Sequence, residues 1–225
     1  MPTSREARKV THRWPLISGI SAVVLAAVLG GLIALRAGNA ALESDTEWLE
    51  NIREDRGIWF DTPALLLDWL GGGVMAVWVV PLVTIGVLCL VRRFWAALYY
   101  LVAIVLSVLL VQVLKTVFGR PRPEDILVIS DEGSFPSGHV ANAATIAVTL
   151  GIIVSRAWVW FAGVIYVLLM LLSRTYLAAH WITDTIGGAL IGAGVAVIVW
   201  APFAARLERE RHRRQDVSPR RGDTG

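Results

Sequence analysis

The sequence predicts an all-α protein, a six-span transmembrane helical bundle with both chain termini in the cytoplasm. Hydrophobic residues make up 56% of the 225 residues and charged residues only 17%, and both fractions differ strongly from those of soluble domains. The mean hydropathy is +0.61, and the apolar residues are gathered into six long runs. Because lipid offers no partners to backbone groups, we expect runs of this length to cross as helices rather than as barrel strands.

Most of these apolar segments approach or exceed the roughly 20 residues that a helix needs to cross the hydrocarbon core. In chain order they cover residues 15–36, 63–91, 94–114, 139–155, 157–173 and 182–204. The first is too long for the apolar core of a signal peptide, so we expect a retained span. The fourth and fifth meet at Ser155–Arg156, which predicts a tight helical hairpin. Glycines at 71–73 and at 187, 188, 192 and 194 predict close helix contacts.

The distribution of Lys and Arg predicts the orientation of the bundle. Fourteen of these cations lie on the side of the two termini and seven on the other side, which places both termini in the cytoplasm by the positive-inside rule. The predicted parts are a cytoplasmic tail at 1–14, a transmembrane domain at 15–204 and a charged cytoplasmic tail at 205–225. We expect the second tail to be a frayed helix whose charges mainly set the topology.

The first loop on the outer side, at about 38–62, carries apolar residues at helix-like intervals among acidic ones. These residues are Trp48, Leu49, Ile52 and Trp59. The pattern is typical of an amphipathic helix lying on the outer leaflet, and an irregular acidic loop explains it equally well.

Composition also limits cofactors and partners. The single cysteine, Cys89, allows no intramolecular disulfide, and no His/Cys cluster has metal-ligand spacing. The net charge of +3 lies largely in the tails, so it does not indicate nucleic acid. We therefore expect no metal, no cofactor and no nucleic acid partner, and the sequence does not predict an oligomeric state.

Three polar stretches, which we call islands, stand at the ends of apolar segments on the predicted outer side. In the first island, Lys115 ends the third span and Arg122 follows in a loop stiffened by Pro121 and Pro123. Taken alone, this island is better explained by a lysine reaching the membrane surface and an ordinary loop cation.

The second island is Pro136-Ser137-Gly138-His139. Ser137 or Gly138 is expected near the N-cap of the fourth span, where free N–H groups and the helix dipole favour an anion. Gly138 would let the backbone approach a phosphate, and His139 would stand beside it. A capped helix with an incidental histidine explains this island equally well.

In the third island, Arg174 ends the fifth span and His180 and Asp184 open the sixth. A spacing of four predicts that the Asp184 carboxylate accepts a hydrogen bond from the His180 imidazole. That bond would set the tautomer and leave the other nitrogen as a nucleophile. A carboxylate at a helix N-terminus has a simpler explanation in the dipole, but this does not account for His180. Together the islands predict a phosphate-ester site at a membrane surface.

The three islands resemble the complete signature of the type 2 phosphatidic acid phosphatase superfamily. The matching patterns are Lys-x6-Arg-Pro at 115–123, Pro-Ser-Gly-His at 136–139 and Ser-Arg-x5-His-x3-Asp at 173–184. Every signature position is present with no change in spacing. The superfamily includes bacterial lipid phosphatases, undecaprenyl pyrophosphate phosphatases, glucose-6-phosphatase and soluble vanadium haloperoxidases.

The resemblance implies a role for each matching residue. His180 would attack phosphorus and become a phosphohistidine, with Asp184 orienting it. His139 would protonate the leaving oxygen and then act as base for the hydrolytic water. The phosphoryl oxygens would be held by Lys115, Arg122, Ser137, Gly138 and Arg174. No metal is implied, because the cations stabilise the charge of the transition state.

The expected function is therefore a lipid phosphatase of the plasma membrane with its active site on the extracytoplasmic face. Polyprenyl pyrophosphate is the default expectation for its substrate, with phosphatidate and phosphatidylglycerophosphate close behind, and the sequence gives little basis for choosing among them. Residues outside the signature, such as Asp131, Glu132 or the outer loop, are candidates for that choice. Two alternatives are a vanadate-dependent haloperoxidase, which the six spans argue against, and a non-enzymatic protein that binds or transports lipid phosphates.

Overall fold

The computed structural model describes residues 4–36, 39–54, 56–129 and 133–217, with side chains described between residues 13 and 213. Asp131 and Glu132 lie outside the described residues. Within the described ranges the chain is helical, with no strand. The helices are α1 (Ser4–Leu35), α2 (Glu43–Glu54), α3 (Ile58–Gly71), α4 (Val80–Leu90), α5 (Phe94–Phe118), α6 (Gly138–Val154), α7 (Ala157–Tyr176) and α8 (Ile182–Val217), and a π-helical turn covers Met75–Val79.

Four of these helices are long and apolar enough to cross a membrane. They are α1 from Arg13, α5, α7 and α8 as far as Arg213. The pair formed by α3 and the segment Met75–Leu90 also qualifies if it is counted as one bent span. Helix α6 is apolar but shorter, at 17 residues. Each of the six predicted apolar segments therefore corresponds to helix, and four or five of them qualify as spans by length and composition.

The second predicted segment is not one straight helix. Helix α3 ends at Gly71, and the π-helical turn that follows leads into α4 with a bend of 48°. Gly73 has a φ of 53°, which is accessible to glycine at little steric cost. Pro81 at the start of α4 has no N–H to donate to the preceding turn. These residues explain why the segment bends where it does.

Helix α6 lies at the centre of the bundle, in contact with α5, α7 and α8. Glycines of α8 allow the closest of these contacts. An added Cβ at Gly188 would lie 2.4 Å from the carbonyl oxygen of Ser137, and one at Gly192 would lie 2.1 Å from that of Ala141. The predicted close approach at these glycines is confirmed. Because α6 is surrounded by protein, few of its 17 residues face lipid.

The segment predicted as the first outer loop contains a helix rather than an irregular stretch. Helix α2 carries Leu49 and Asp45 on its buried side and contacts α7 and α8. Asp45 is fully buried, so α2 is attached to the protein through a charged residue as well as an apolar one.

The end of the bundle opposite the three islands is held by side chains from the extension of α8. The Glu210 carboxylate accepts hydrogen bonds from the N–H groups of Trp95 (2.9 Å) and Ala96 (3.3 Å) at the start of α5. Arg211 donates to the carbonyl oxygen of Ile152 (3.1 Å) near the end of α6. Acidic groups suit helix N-termini and cations suit C-termini. Helix α8 therefore continues past residue 204, and its backbone runs to Val217.

Candidate active site

The three islands meet at one end of the bundle because helix ends and turns bring them there. Helix α5 ends at Phe118 and is capped by Gly119, whose left-handed conformation lets its N–H bond the carbonyl oxygen of Lys115. The prolines that follow cannot continue the helix. At the end of α7, the N–H groups of Ala179 and His180 return to the carbonyl oxygen of Arg174. His180 therefore lies in a short turn between α7 and α8.

The His180 imidazole is held by a backbone carbonyl. Its Nδ1 lies 2.8 Å from the carbonyl oxygen of Ser134. A carbonyl oxygen can only accept, so Nδ1 carries the proton and Nε2 keeps its lone pair. Nε2 lies 3.2 Å from a guanidinium nitrogen of Arg122, where it faces the cations of the site. The geometry sets the tautomer that a nucleophilic histidine needs.

The predicted hydrogen bond between His180 and Asp184 is not formed. Nδ1 of His180 and Oδ2 of Asp184 are 3.7 Å apart, beyond hydrogen-bond range. The prediction was wrong on this contact because His180 precedes α8 and does not share a helix face with Asp184. Asp184 instead accepts from the Ser134 hydroxyl (2.5 Å) and from the N–H of Trp181 (2.9 Å). Ser134 thus links Asp184 to His180, and Asp184 also caps α8 as the dipole explanation expected.

A buried chain of charges supports this arrangement from behind. Arg120 donates to Oδ1 of Asp184 (2.5 Å) and to Oδ2 of Asp45 (2.6 Å), and all three side chains are fully buried. Asp45 also accepts from the N–H (3.0 Å) and the hydroxyl (2.8 Å) of Thr183. A buried arginine between two carboxylates has an acceptor on both sides, so removing either carboxylate would leave buried donors without their acceptor.

Most residues of this buried chain of charges were not predicted from the sequence. Arg120 lies inside the first island but had no assigned role, and Asp45 and Ser134 were not considered. Asp45 stands 138 residues before Thr183, and no local spacing connects such positions. The one available signal was that Asp45 starts an acidic helix whose apolar residues follow at helical intervals.

A cavity of about 290 Å³ lies in front of His180. Six of the eight predicted site residues line it: Lys115, Arg122, Gly138, His139, Arg174 and His180. The other two, Ser137 and Asp184, are fully buried beside it. Three cations and two imidazoles around one cavity form a site suited to a phosphoryl group.

The start of α6 supplies uncharged groups to the same cavity. Ser137 is the N-cap residue, and its side chain does not cap the helix. Its hydroxyl oxygen has no hydrogen-bond partner within the part of the chain that the structure describes. At Gly138 an added Cβ would have only Val111 within 4 Å, so the backbone is open to a ligand there. The N–H groups of the first turn, which have no acceptor within the helix, therefore lie where an anion can bind.

His139 faces a carboxylate that the sequence interpretation did not consider. Its Nε2 lies 3.4 Å from Oδ1 of Asp68 on α3, and the same oxygen accepts a hydrogen bond from Arg174. The break after α3 lets these groups meet, since an added Cβ at Gly72 would lie 2.3 Å from Nε2 of His139. An ionisable residue within an apolar segment often marks a functional site, and this signal could have identified Asp68.

Burial and neighbouring cations keep His180 neutral. The turn between α7 and α8 buries its imidazole, and this loss of solvation lowers the pKa of His180 well below its ordinary value. Arg122, Arg174 and Lys115 lower that pKa further by charge repulsion. A neutral imidazole at this position can act as a nucleophile near neutral pH.

No three His, Cys, Asp or Glu side chains among the described residues come together in a way that could hold a metal ion. The positive charge that faces the cavity comes instead from Lys115, Arg122 and Arg174.

Comparison with known proteins adds a family match. The family model of the PAP2 superfamily matches residues 96–208, which include all three islands. Undecaprenyl-diphosphatase of Sulfolobus acidocaldarius is 37% identical over 79 residues, which are 35% of this chain and 34% of that protein. Phosphatidylglycerophosphatase B of Bacillus subtilis is 31% identical over 133 residues, covering 54% of this chain and 64% of that protein. The matches thus span about a third and just under two thirds of these relatives.

Two crystal structures resemble the fold. The first transmembrane PAP2 type phosphatidylglycerolphosphate phosphatase from Bacillus subtilis has a TM-score of 0.68 at 24% identity, over 91% of this chain and 99% of that one. LpxE of Aquifex aeolicus has a TM-score of 0.61 at 29% identity, over 69% of this chain and 93% of that one. The similarity to the Bacillus subtilis structure extends over nearly the whole chain and supports the arrangement of helices.

Proposed function

Since the chain belongs to the PAP2 superfamily, we propose that it is a membrane lipid phosphatase that works without a metal through a phosphohistidine intermediate. Its substrate would be the phosphate monoester or pyrophosphate of a lipid. The observation that carries this proposal is the single cavity in which a neutral His180, a second histidine and three cations meet. The names of its relatives, which are phosphatases of undecaprenyl diphosphate and of phosphatidylglycerophosphate, support the same reaction class.

In the first step, Nε2 of His180 attacks phosphorus and forms an N–P bond while the P–O bond to the lipid breaks. His139 gives its proton to the leaving oxygen. The Ser134 carbonyl holds the Nδ1 proton of His180, so the imidazole gains positive charge without losing its orientation. Asp184 positions Ser134 and its charge lies close enough to stabilise that imidazolium.

In the second step, water attacks the phosphohistidine. His139, now neutral, takes a proton from the water, the N–P bond breaks, and inorganic phosphate leaves. The charge on the equatorial oxygens is met in both steps by Lys115, Arg122, Arg174, the Ser137 hydroxyl and the N–H of Gly138. Fixed donors of this kind are expected to contribute the largest share of the rate.

We further propose that the helices form six spans with both termini in the cytoplasm and the site on the extracytoplasmic face of the plasma membrane. The fourteen-to-seven distribution of Lys and Arg supports this orientation. Helix α6, which corresponds to the fourth apolar segment, would bring the number of spans to six. Its 17 residues reach the lower limit for crossing a bilayer, and neighbouring helices cover it. A lipid headgroup could then enter the cavity from the outer leaflet while its chains stay in lipid.

The decisive experiment measures phosphate release by detergent-purified protein in the presence of EDTA. The substrates are phosphatidate, phosphatidylglycerophosphate and polyprenyl pyrophosphate, and wild type is compared with His180→Ala. We expect release that survives EDTA and is abolished by the substitution. His212→Ala is the matched control, because His212 is exposed at the opposite end of the bundle, and it should retain full activity.

Chemical trapping tests the intermediate separately. Rapid quenching of the wild type with a substrate labelled in the phosphoryl group should yield a phosphoprotein that is labile in acid and stable in base, as expected of phosphohistidine. The label should be missing from His180→Ala. Activity that requires a divalent metal, or that persists in His180→Ala, would contradict the mechanism.

A further inference from the structure

The cavity continues inward beyond the cations. Gln112 lies three residues before Lys115 on α5, Asn142 lies three residues after His139 on α6, and all four residues line the cavity. Three residues of helix rise by about 4.5 Å. Because α5 ends and α6 begins at the same end of the bundle, both amides lie one step deeper than the residues proposed to contact phosphate. Around them the wall consists of small or apolar residues: Ala76, Val77, Ser107, Val108, Val111 and Ala141.

Asn142 has an unused hydrogen-bonding group. Its side chain is 9% exposed, and its Oδ1 has no hydrogen-bond partner among the residues that the structure describes. A buried amide in this state is costly and needs an explanation. Since Asn142 lines the cavity, a polar atom of a bound ligand could supply the missing bond.

The charges of the cavity are gathered at one end of it, where Lys115 and Arg174 are buried. Among the described lining residues, the permanent charges belong to Lys115, Arg122 and Arg174, and the lining inward of His139 is uncharged. A second phosphate at the depth of the amides would therefore be a buried charge without a cation. A plain hydrocarbon chain at that depth would leave the buried Asn142 amide unsatisfied. A neutral oxygen, either a hydroxyl or an ester, satisfies this amide without adding charge.

We propose that Asn142 and Gln112 form a subsite that hydrogen-bonds the oxygen substituent of a glycerol unit directly after the scissile phosphate. The substrate is then a glycerol-based lipid phosphomonoester rather than a polyprenyl phosphate or diphosphate. This inference rests on the proposed phosphatase function and deepens it. An amide both donates and accepts, so the subsite takes either the ester oxygens of phosphatidate or the free hydroxyl of phosphatidylglycerophosphate.

The test compares kcat/KM for four substrates: phosphatidate, phosphatidylglycerophosphate, a polyprenyl monophosphate and a polyprenyl diphosphate. We expect wild type to prefer one or both glycerol-based substrates. Asn142→Leu keeps the size of the side chain and removes its hydrogen bonds. It should lower the ratio of the better glycerol-based substrate to the polyprenyl monophosphate by roughly 10- to 100-fold. Comparing the two glycerol-based substrates shows whether the subsite binds an ester or a hydroxyl.

Two further variants make the test decisive. Gln112→Leu changes an exposed residue and should shift the same ratio, so it decides the question if Asn142→Leu fails to fold. Asn51→Leu, the same substitution at an exposed position on α2, should leave the ratio unchanged. An unchanged ratio in both cavity variants, or an equal loss for all four substrates, would overturn the subsite. A wild-type preference for polyprenyl diphosphate would refute it while leaving the phosphatase intact, and no release from any substrate would refute the phosphatase itself.

Discussion

Replacing Asp45 should damage both the stability and the activity of the protein, although Asp45 lies outside the part of the chain that matches the family. The substitution Asp45→Ala removes a fully buried carboxylate that pairs with Arg120 at 2.6 Å. It also removes the acceptor for the N–H and hydroxyl of Thr183. Arg120 would keep Asp184 and the Thr183 hydroxyl as partners, and the Thr183 N–H in the first turn of α8 would lose its acceptor.

Removing one partner of a buried ion pair costs about 3–5 kcal/mol. Here Arg120 keeps Asp184, so the cost comes from the buried N–H groups of Arg120 and Thr183 that lose their acceptor. For a protein of this size, each kcal/mol shifts the unfolding midpoint by about 2–4 °C. We therefore expect Asp45→Ala to lower the midpoint of thermal unfolding in detergent by roughly 6–20 °C. Below that midpoint, Arg120 should shift toward Asp184 and displace the Ser134 hydroxyl that Asp184 accepts from. Because the Ser134 carbonyl orients His180, kcat should fall by roughly tenfold or more.

The assay follows the thermal unfolding midpoint and kcat of the same preparations. Glu47→Ala is the matched control, because it removes a carboxylate from an exposed position of the same helix and should change neither quantity. A midpoint within 2 °C of wild type would refute the reasoning about the buried charge chain. A lowered midpoint with an unchanged kcat would show that the chain is structural only.

Two other outcomes follow from the site. Gly72→Ala places a Cβ 2.3 Å from Nε2 of His139, so it should displace the proposed proton donor and lower kcat by at least about tenfold. Gly86→Ala adds a Cβ that has no atom within 4 Å, so it should leave kcat unchanged. An equal loss of kcat in both variants would contradict the geometric argument. The pKa of His180 lies well below its ordinary value because of burial and nearby cations, so protonation should abolish kcat/KM only far below pH 6.5. Arg122→Gln removes one of these cations and should move that acidic limb to higher pH, and a limb that stays in place or moves lower would count against the assignment.

The helices could be predicted from the sequence because each apolar run is bounded by a polar residue or a helix breaker. The start of α6 after Ser137 and the end of α5 near Lys115 follow from this rule within a few residues. The rule does not detect a bend within an apolar run. The break after Gly71 depends on tertiary packing, in which Gly71 and Gly72 lie against Met170 of α7 and His139 of α6. An apolar pattern looks the same on both sides of this break.

The candidate site shows the same division between local and distant contacts. Residues in the three islands could be chosen because their chemistry and spacing are local, and most of them line one cavity. The hydrogen-bond partner of His180 could not be predicted, because it is a backbone carbonyl, a group that every residue has. Asp68 has a local signal, as an ionisable residue within an apolar run. Asp45 has no such signal, because tertiary packing decides which acid of its acidic segment becomes buried.

The extension of α8 beyond residue 204 has a practical consequence for protein engineering. Its Glu210 and Arg211 fasten the ends of α5 and α6, which carry Lys115 and His139 at their opposite ends. A reporter or affinity tag joined directly after the apolar run would remove those fastenings. A fusion placed after Val217 would retain them, so the position of the junction should decide whether a tagged protein is purified in an active form.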